Sequence, residues 1–326
     1  MKSKIILILK ICISLSLLIV VFTRIDLPKL WEQVQYLSFP FVLFALLYYT
    51  ACQWLSCLRW QVILKANHYP VSIRNLLAGY FAGMFVSIFL PSSYGGDVYR
   101  IYRLNQSIHN LEVSVSSVFL ERFAGLAAIF ALALLGLPPI FQLMGSWEVV
   151  GLFLLCASIL SGGFLLILSP QLLSWMEPLL MKLHLTKIVE RIAKTQIIFR
   201  KFVHHRQAVS IAIGLSLVIQ LSVIYYQYLL AQQLKIPVSF LELLIFTPIS
   251  IVVTLLPISF GGLGVQEGLW AYLFSRVGLP AEQAVLLSLT FTLLGWLLSL
   301  PGGIILFLDS LRSRVDANPP ANLPSN

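Results

Sequence analysis

The sequence predicts an all-α polytopic integral membrane protein with about six full spans and two re-entrant Pro/Gly-Gly hairpins in an inverted repeat. Three observations support this fold class. Of the 326 residues, 59% are hydrophobic and 11% are charged, which is more apolar surface than a soluble core needs. Several apolar runs approach the roughly 20 residues that cross a bilayer as a helix. The pattern Leu-Pro-x-Ser-aromatic-Gly-Gly occurs at 90–96 and again at 256–262.

Both copies of this pattern interrupt an apolar run. Proline removes a backbone donor and clashes with the preceding helical turn, and the paired glycines make the backbone after it more flexible. Matching breaks in the two halves of a membrane protein point to a transporter-type binding site. The candidate site residues contributed by the breaks are Pro91, Gly95, Gly96, Pro257, Gly261, Gly262 and Gly264.

The full spans are predicted from the apolar runs and from the basic residues between them. Lysine and arginine cluster in short loops, so the positive-inside rule places both termini in the cytoplasm. Arg59 is assigned to the cytoplasmic loop after the second span, and Pro138-Pro139 is expected to end the third span in an external loop. The spans are expected at about 5–22, 39–58, 113–137, 149–168, 209–230 and 284–308.

The same charge rule predicts the two hairpins. If the run 76–90 crossed fully, Arg100 and Arg103 would lie outside, whereas a turn at the break returns both to the cytoplasm. The run 240–256 enters from outside and returns outward after its own break. The hairpins therefore open to opposite sides of the membrane, as an inverted-topology repeat requires.

A single transmembrane domain, residues 1–311, is expected to contain both repeat halves, at about 1–165 and 208–311. The joining segment 171–207 carries seven lysines and arginines, with apolar residues on roughly one helical face. It is either a basic amphipathic helix on the cytoplasmic leaflet or a solvated linker whose charges only set the topology. The polar tail 312–326 has nothing to bury and is expected to be disordered.

Six ionisable residues fall at or near membrane depth. A charge at the bilayer centre costs about 2.5–3.5 kcal/mol on insertion scales, so such residues face a cavity or pair with one another. Asp97 and Arg100 share a helix face, whereas the adjacent Glu121 and Arg122 point about 100° apart and need different partners. We expect Arg100 to pair with Glu121, and Arg122 with Asp97. The six are Asp97, Arg100, Arg103, Glu121, Arg122 and Glu267.

These charges either pin helices together or bind an anion. Freed amides and helix N-termini at the breaks form anion sites, and arginine recognises phosphate bidentately. The combination predicts the headgroup of a phospholipid or a polyprenyl-phosphate-type lipid, although a small soluble anion fits the charges equally well.

Several other function classes are not expected. The chain has no Walker A, HExxH or Rossmann GxGxxG motif, and its four cysteines lie in apolar runs without CxxC spacing. We therefore expect no metal, nucleotide or other cofactor. The net charge of +9 is explained by membrane topology, so nucleic-acid binding is not expected.

The Pro91 to Arg100 motif, the pair Glu121-Arg122 and the Pro257 to Glu267 motif resemble those of the lysylphosphatidylglycerol synthase transmembrane region, also called the flippase-like or UPF0104 family. The resemblance covers roughly residues 5–310. It implies an inner-membrane protein related to the lipid-translocating half of aminoacyl-phosphatidylglycerol synthases. Relatives are linked to hopanoid or cardiolipin movement and to glycan assembly on lipid carriers. The soluble aminoacyl-transfer domain does not follow, so the synthase reaction is not expected.

The prediction is thus a lipid translocase of the cytoplasmic membrane rather than an enzyme. Its arginines would hold the phosphate near the midplane, and its carboxylates, Glu267 among them, would position those arginines or accept a proton. One alternative is a transferase or membrane component in lipid-carrier-linked glycan assembly. Another is a non-catalytic partner that recruits a soluble lipid-modifying enzyme through residues 171–207.

Overall fold

The computed structural model describes residues 27–90, 95–144, 147–182, 205–255 and 263–317, with a few residues between 186 and 197. The first predicted span lies outside the described residues, as does most of the joining segment after residue 182. Four of the predicted site residues are outside them too: Pro91, Pro257, Gly261 and Gly262.

The described secondary structure is helical throughout. In chain order the helices are α1 Leu27–Val34, α2 Phe39–Ala66, α3 Ile73–Phe89, α4 Gly95–Ile108, α5 Leu111–Met144, α6 Trp147–Leu168, α7 Pro170–Lys182, α8 Arg206–Gln233, α9 Phe240–Leu255, α10 Val265–Ser275 and α11 Ala281–Ala317.

Four of these helices are long and apolar enough to cross a membrane, namely α2, α5, α8 and α11. Helices α3, α6 and α9 contain shorter apolar stretches. Large apolar side chains on the outer surface are exposed, for example Leu135 at 75% and Ile304 at 65%, which suits a surface in contact with lipid. The predicted class, an all-helical multi-pass membrane protein, is confirmed.

Helix α2 extends beyond its predicted end at residue 58. Ser38 caps its N-terminus by accepting the Phe41 N–H, and the helix continues to Ala66. No glycine or proline interrupts residues 59–66, and Trp60, Ile63 and Leu64 are buried in the protein core. The prediction that Arg59 belongs to a cytoplasmic loop is therefore wrong, because this arginine lies inside a packed helix.

Helix α5 also runs further than predicted. The expected end at Pro138-Pro139 is wrong, since α5 continues to Met144. A proline deletes its own bond to the carbonyl four residues earlier, but its fixed φ is helical, so the chain can remain helical around it. Helix α11 likewise continues to Ala317, into the segment expected to be a disordered tail.

Three buried clusters hold the described helices together, the smallest of which consists of Ile63, Leu120 and Ala212. The largest one joins parts of α2 and α5 to α8–α11 and contains Phe246 and Phe274, whose rings meet edge to face at 4.8 Å. The second one joins α2, α3, α4 and α5 around Trp60, Leu64 and Leu76. Edge-to-face aromatic pairs stabilise a fold beyond the contribution of the apolar area that they bury.

Close backbone contact fixes α3 against α4. A Cβ added to Gly83 would lie 2.8 Å from the carbonyl oxygen of Gly96, and the Gly96 N–H donates to Ser87 Oγ at 3.1 Å. On the other side of α3, a Cβ on Gly302 of α11 would clash with the Phe81 carbonyl. The contact with Gly83 and Ser87 holds the start of α4, where Gly95 and Gly96 are both buried, directly against α3.

Candidate functional site

Arg100 stands at the centre of a buried ionic network and is 2% exposed. Its guanidinium lies 4.2 Å from the Trp60 ring and 4.1 Å from the Tyr80 ring, so two aromatic faces enclose it. Its Nη1 donates to Asp97 Oδ1 at 3.1 Å, and its Nη2 donates to Glu121 Oε2. Aromatic faces attract a cation most strongly where water is excluded.

Arg122 forms a bidentate ion pair with Asp97. Its Nε donates to Oδ2 at 2.9 Å, and its Nη2 donates to Oδ1 at 3.0 Å. The predicted cross-pairing, Arg100 with Glu121 and Arg122 with Asp97, is therefore confirmed. The Arg122 side chain is 51% exposed, in contrast to the other members of the network, and no partner for its Nη1 occurs among the described residues.

Arg59 completes the network and was missed at the sequence level. Its Nη2 donates to Glu121 Oε1 at 2.6 Å, and its Nη1 donates to Ser216 Oγ at 2.8 Å. Tyr80 Oη donates to the same Glu121 oxygen at 3.2 Å. The available signal was the uninterrupted helical sequence around Arg59, which the loop assignment overrode.

The network carries an excess of positive charge. It contains the arginines 59, 100 and 122 but only the carboxylates of Asp97 and Glu121, which leaves one net positive charge among the described residues. The Nε atoms of Arg59 and Arg100 are buried without a described hydrogen-bond partner. An unbalanced charge and unpaired donors at membrane depth are expensive unless an anion or water joins them.

A groove of about 620 Å³ runs between α4, α5 and α6, and the Asp97–Arg122 pair forms part of its lining. Its walls are almost entirely apolar, and its polar groups are concentrated at that pair. The lining includes Val98, Phe119, Phe123, Phe130, Leu134 and Ile159. Phe119, Leu134 and Ile159 are exposed, so the groove is open towards the surface. A single charged patch in an otherwise largely apolar groove suits an amphiphile.

Arg103 and Glu267 do not join this network. Arg103 forms an ion pair with Asp309 of α11. Glu267 is fully buried in the second half, where it accepts the Gly264 N–H at 2.7 Å and, more weakly, the Ser288 hydroxyl. Gly264 has φ of 79°, a conformation natural to glycine, and N-caps α10. Their predicted grouping with Arg100 and Arg122 is therefore not what the structure shows.

No three His, Cys, Asp or Glu side chains converge on a possible metal position in the part of the chain that the structure describes. The groups available for chemistry at the candidate site are guanidinium, carboxylate, phenol and hydroxyl. Of these groups, guanidinium is the one suited to bidentate recognition of an anion such as phosphate or carboxylate.

Comparison with known proteins places these features in a family. The sequence profile described as the lysylphosphatidylglycerol synthase TM region matches residues 7–303. A UPF0104 membrane protein of Pyrococcus horikoshii is 22% identical over 319 residues, which cover 91% of this chain and 95% of that protein. No solved structure matches the chain.

Proposed function

Because the chain belongs to the lysylphosphatidylglycerol synthase transmembrane region family, we propose that it moves an anionic, phosphate-bearing lipid across the cytoplasmic membrane. The observation that carries the proposal is the half-exposed Arg122 in the lining of the apolar groove. A phosphate oxygen at this position accepts from Arg122 Nη1, while the acyl or prenyl chain follows the groove along α5 and α6.

The charge count supports an anion with one negative charge. A phosphodiester carries one negative charge and would neutralise the network without breaking its internal ion pairs. Recognition by arginine also favours phosphate, since guanidinium donors match its oxygens in geometry. A headgroup without net charge leaves the excess positive charge uncompensated.

The groove favours a lipid over a small soluble anion. Soluble ions need a hydrated path, whereas the walls beyond Arg122 consist of leucine, isoleucine, valine, alanine and phenylalanine, apart from Ser161 and Gly163. A lipid tail that enters the groove from the bilayer exchanges one apolar environment for another, so the walls accommodate it without a desolvation cost. Selectivity then comes from Arg122.

The packing pattern supports an inverted repeat of α2–α5 and α8–α11. The paired helices have similar lengths: 28 residues for both α2 and α8, then 17 and 16 for α3 and α9. The contacts between helices follow the same correspondence of α2–α5 with α8–α11. Helix α3 packs on α11 as α9 packs on α5, and α4 packs on α5 as α10 packs on α11. Helix α6, with α7, stands between the two halves.

This repeat accounts for the topology. The long helices α2, α5, α8 and α11, together with α6 and the apolar run 5–22, supply six spans. The pairs α3–α4 and α9–α10 supply the two hairpins, which meet the opposite halves. Both termini are cytoplasmic on the basis of the loop charges. Movement of one repeat against the other then exposes the site to alternate faces of the membrane.

Reconstitution into liposomes tests the proposal. The assay measures how fast a headgroup-labelled lipid becomes accessible to an impermeant quencher, with phosphatidylglycerol-type and phosphatidylcholine-type lipids of identical chains. The wild type is expected to exchange the anionic lipid faster, and Arg122→Gln is expected to abolish the difference. Arg74→Ala, at the exposed start of α3, is the matched control and retains activity.

A competition arm separates lipid from soluble anion. Inorganic phosphate at millimolar concentration is expected to leave the rate unchanged. Strong inhibition by phosphate alone would favour a soluble-anion site. Folded wild type without any protein-dependent exchange would contradict the translocase and favour a role in lipid-carrier-linked glycan assembly or in recruiting a lipid-modifying enzyme.

A further inference from the structure

Two latches of the same design connect the hairpin helices α4 and α10 to helices outside their own halves. In the first, Tyr99 and Arg103 are four residues apart on α4, so they lie on one helix face. Both contact the single carboxylate of Asp309 on α11: Tyr99 Oη donates to Oδ2 at 2.9 Å, and Arg103 Nη1 pairs with the same oxygen. We name this set of three residues the Asp309 latch. It ties the hairpin helix of the first half to the last helix of the second.

The second latch repeats this arrangement on α10, the hairpin helix of the second half. Tyr272 and Arg276 are again four residues apart, the first on α10 and the second just after it. Tyr272 Oη donates to Glu148 Oε2 at 3.2 Å, and Arg276 Nη2 pairs with the same oxygen at 2.5 Å. We name this set the Glu148 latch. It ties the hairpin helix of the second half to α6, which follows the first half.

The two latches lie at opposite ends of the helical bundle. Arg276 is five residues before Ala281, where α11 begins, whereas Asp309 is close to the end of α11. At about 1.5 Å per residue, Ala281 and Asp309 are about 40 Å apart along the helix. The hydrocarbon core is about 30 Å thick, so each latch sits at a different membrane face.

We propose that these latches are the two gates of the protein, and that it opens on one face by breaking the latch at that face while the other stays closed. Each gate links a hairpin helix to a helix outside its own half, to α11 in the Asp309 latch and to α6 in the Glu148 latch, so separation of these helices at one face must break the contact there. Both latches are formed in this structure. The Asp309 latch is the less exposed, with the Arg103 side chain at 20% against 41% for Arg276.

Accessibility of a single cysteine tests the gates without requiring transport. Phe119→Cys places the thiol in the groove of a variant whose native cysteines are replaced, and an impermeant maleimide is applied to right-side-out or inverted vesicles. Asp309→Asn is expected to raise labelling from the Asp309 face, and Glu148→Gln from the Glu148 face. Loss of a partly exposed ion pair predicts an increase of about two- to fivefold.

Charge exchange makes the outcome decisive. Arg103→Asp combined with Asp309→Arg restores the ion pair and is expected to return labelling to the wild-type level, even if a single variant folds poorly. Arg206→Gln, at the exposed start of α8, is the control for simple charge loss. Equal changes at both faces, or no recovery in the folded exchange variant, would overturn the gates.

The inference rests on the proposed function only in treating the opening as a transport step. If the face-specific labelling is found but no lipid moves in the liposome assay, the gates stand and the lipid translocase fails. If lipid moves but labelling changes at neither face, the translocase stands and the gates fail.

Discussion

Glu121 is the residue whose loss should destabilise the network most. Its two carboxylate oxygens accept hydrogen bonds from Arg59, Arg100 and Tyr80, and the residue is 1% exposed. Glu121→Ala leaves two buried guanidinium groups without this partner and raises the net charge of the described network from +1 to +2. Removal of one member of a buried pair typically destabilises by about 3–5 kcal/mol.

A second substitution should recover part of this loss. Arg59→Met alone takes the network to neutrality, but Arg59→Met combined with Glu121→Ala leaves Asp97 with Arg100 and Arg122, at the original net charge of +1. Methionine fills much of the arginine volume without a charge. We therefore expect the double variant to be more stable than Glu121→Ala alone, by about 1–3 kcal/mol, the value of a hydrogen-bonded charge.

The measurement is thermal unfolding in detergent, followed through tryptophan fluorescence, since Trp60 lies directly on the Arg100 guanidinium. The four proteins of the cycle are wild type, each single variant and the double variant. Additive losses in the double variant would refute the network as the source of the effect. So would a Glu121→Ala variant as stable as the wild type.

Three further predictions use the same stability or exchange assays. Gly83→Ala should destabilise the protein by about 1–3 kcal/mol, because its Cβ would lie 2.8 Å from the Gly96 carbonyl oxygen. The control Gly214→Ala has no neighbouring atom within 4 Å of the added Cβ and should be neutral or stabilising. Equal effects of the two substitutions would contradict the close helix contact. Ala127→Trp should fill the groove and slow lipid exchange without a loss of unfolding temperature; normal exchange would exclude the groove as the tail path. Glu267→Ala should destabilise the protein by about 0.5–2 kcal/mol, because the hydrogen bond from the Gly264 N–H is lost. Glu267→Gln keeps an acceptor oxygen and should retain most of the wild-type stability. Identical stabilities of the two variants would argue against a capping role.

The sequence was sufficient for the fold class and for the ion pairs of Asp97, Arg100, Glu121 and Arg122. Their spacing restricts which partners each can reach, and charge at membrane depth has few other solutions. Arg59 was missed because the charge rule treats an arginine at the end of an apolar run as a loop residue. The charge rule cannot distinguish a loop arginine from a buried arginine that is paired with a glutamate 62 positions later.

The groove and the latches depend on long-range packing that periodicity does not encode. The groove exists because α6 stands beside α4 and α5, and no local pattern in α6 signals this. Glu267 was grouped with the charged site because its glycine motif matches the one before Asp97. The matching motif gave the two carboxylates similar positions at the starts of α4 and α10, but their surroundings differ.

This difference between the halves determines what the repeat can do. In the first half, Asp97 is met by two arginines, and the network around it keeps one positive charge. In the second half, the described partners of Glu267 are a backbone amide and a serine hydroxyl, which fix the start of α10. Under the proposed function, a repeat with one cationic centre predicts one anionic headgroup per chain rather than two. In the proposed gating, the capping contact of Glu267 would let α10, which carries Tyr272, separate from Glu148 as a rigid unit.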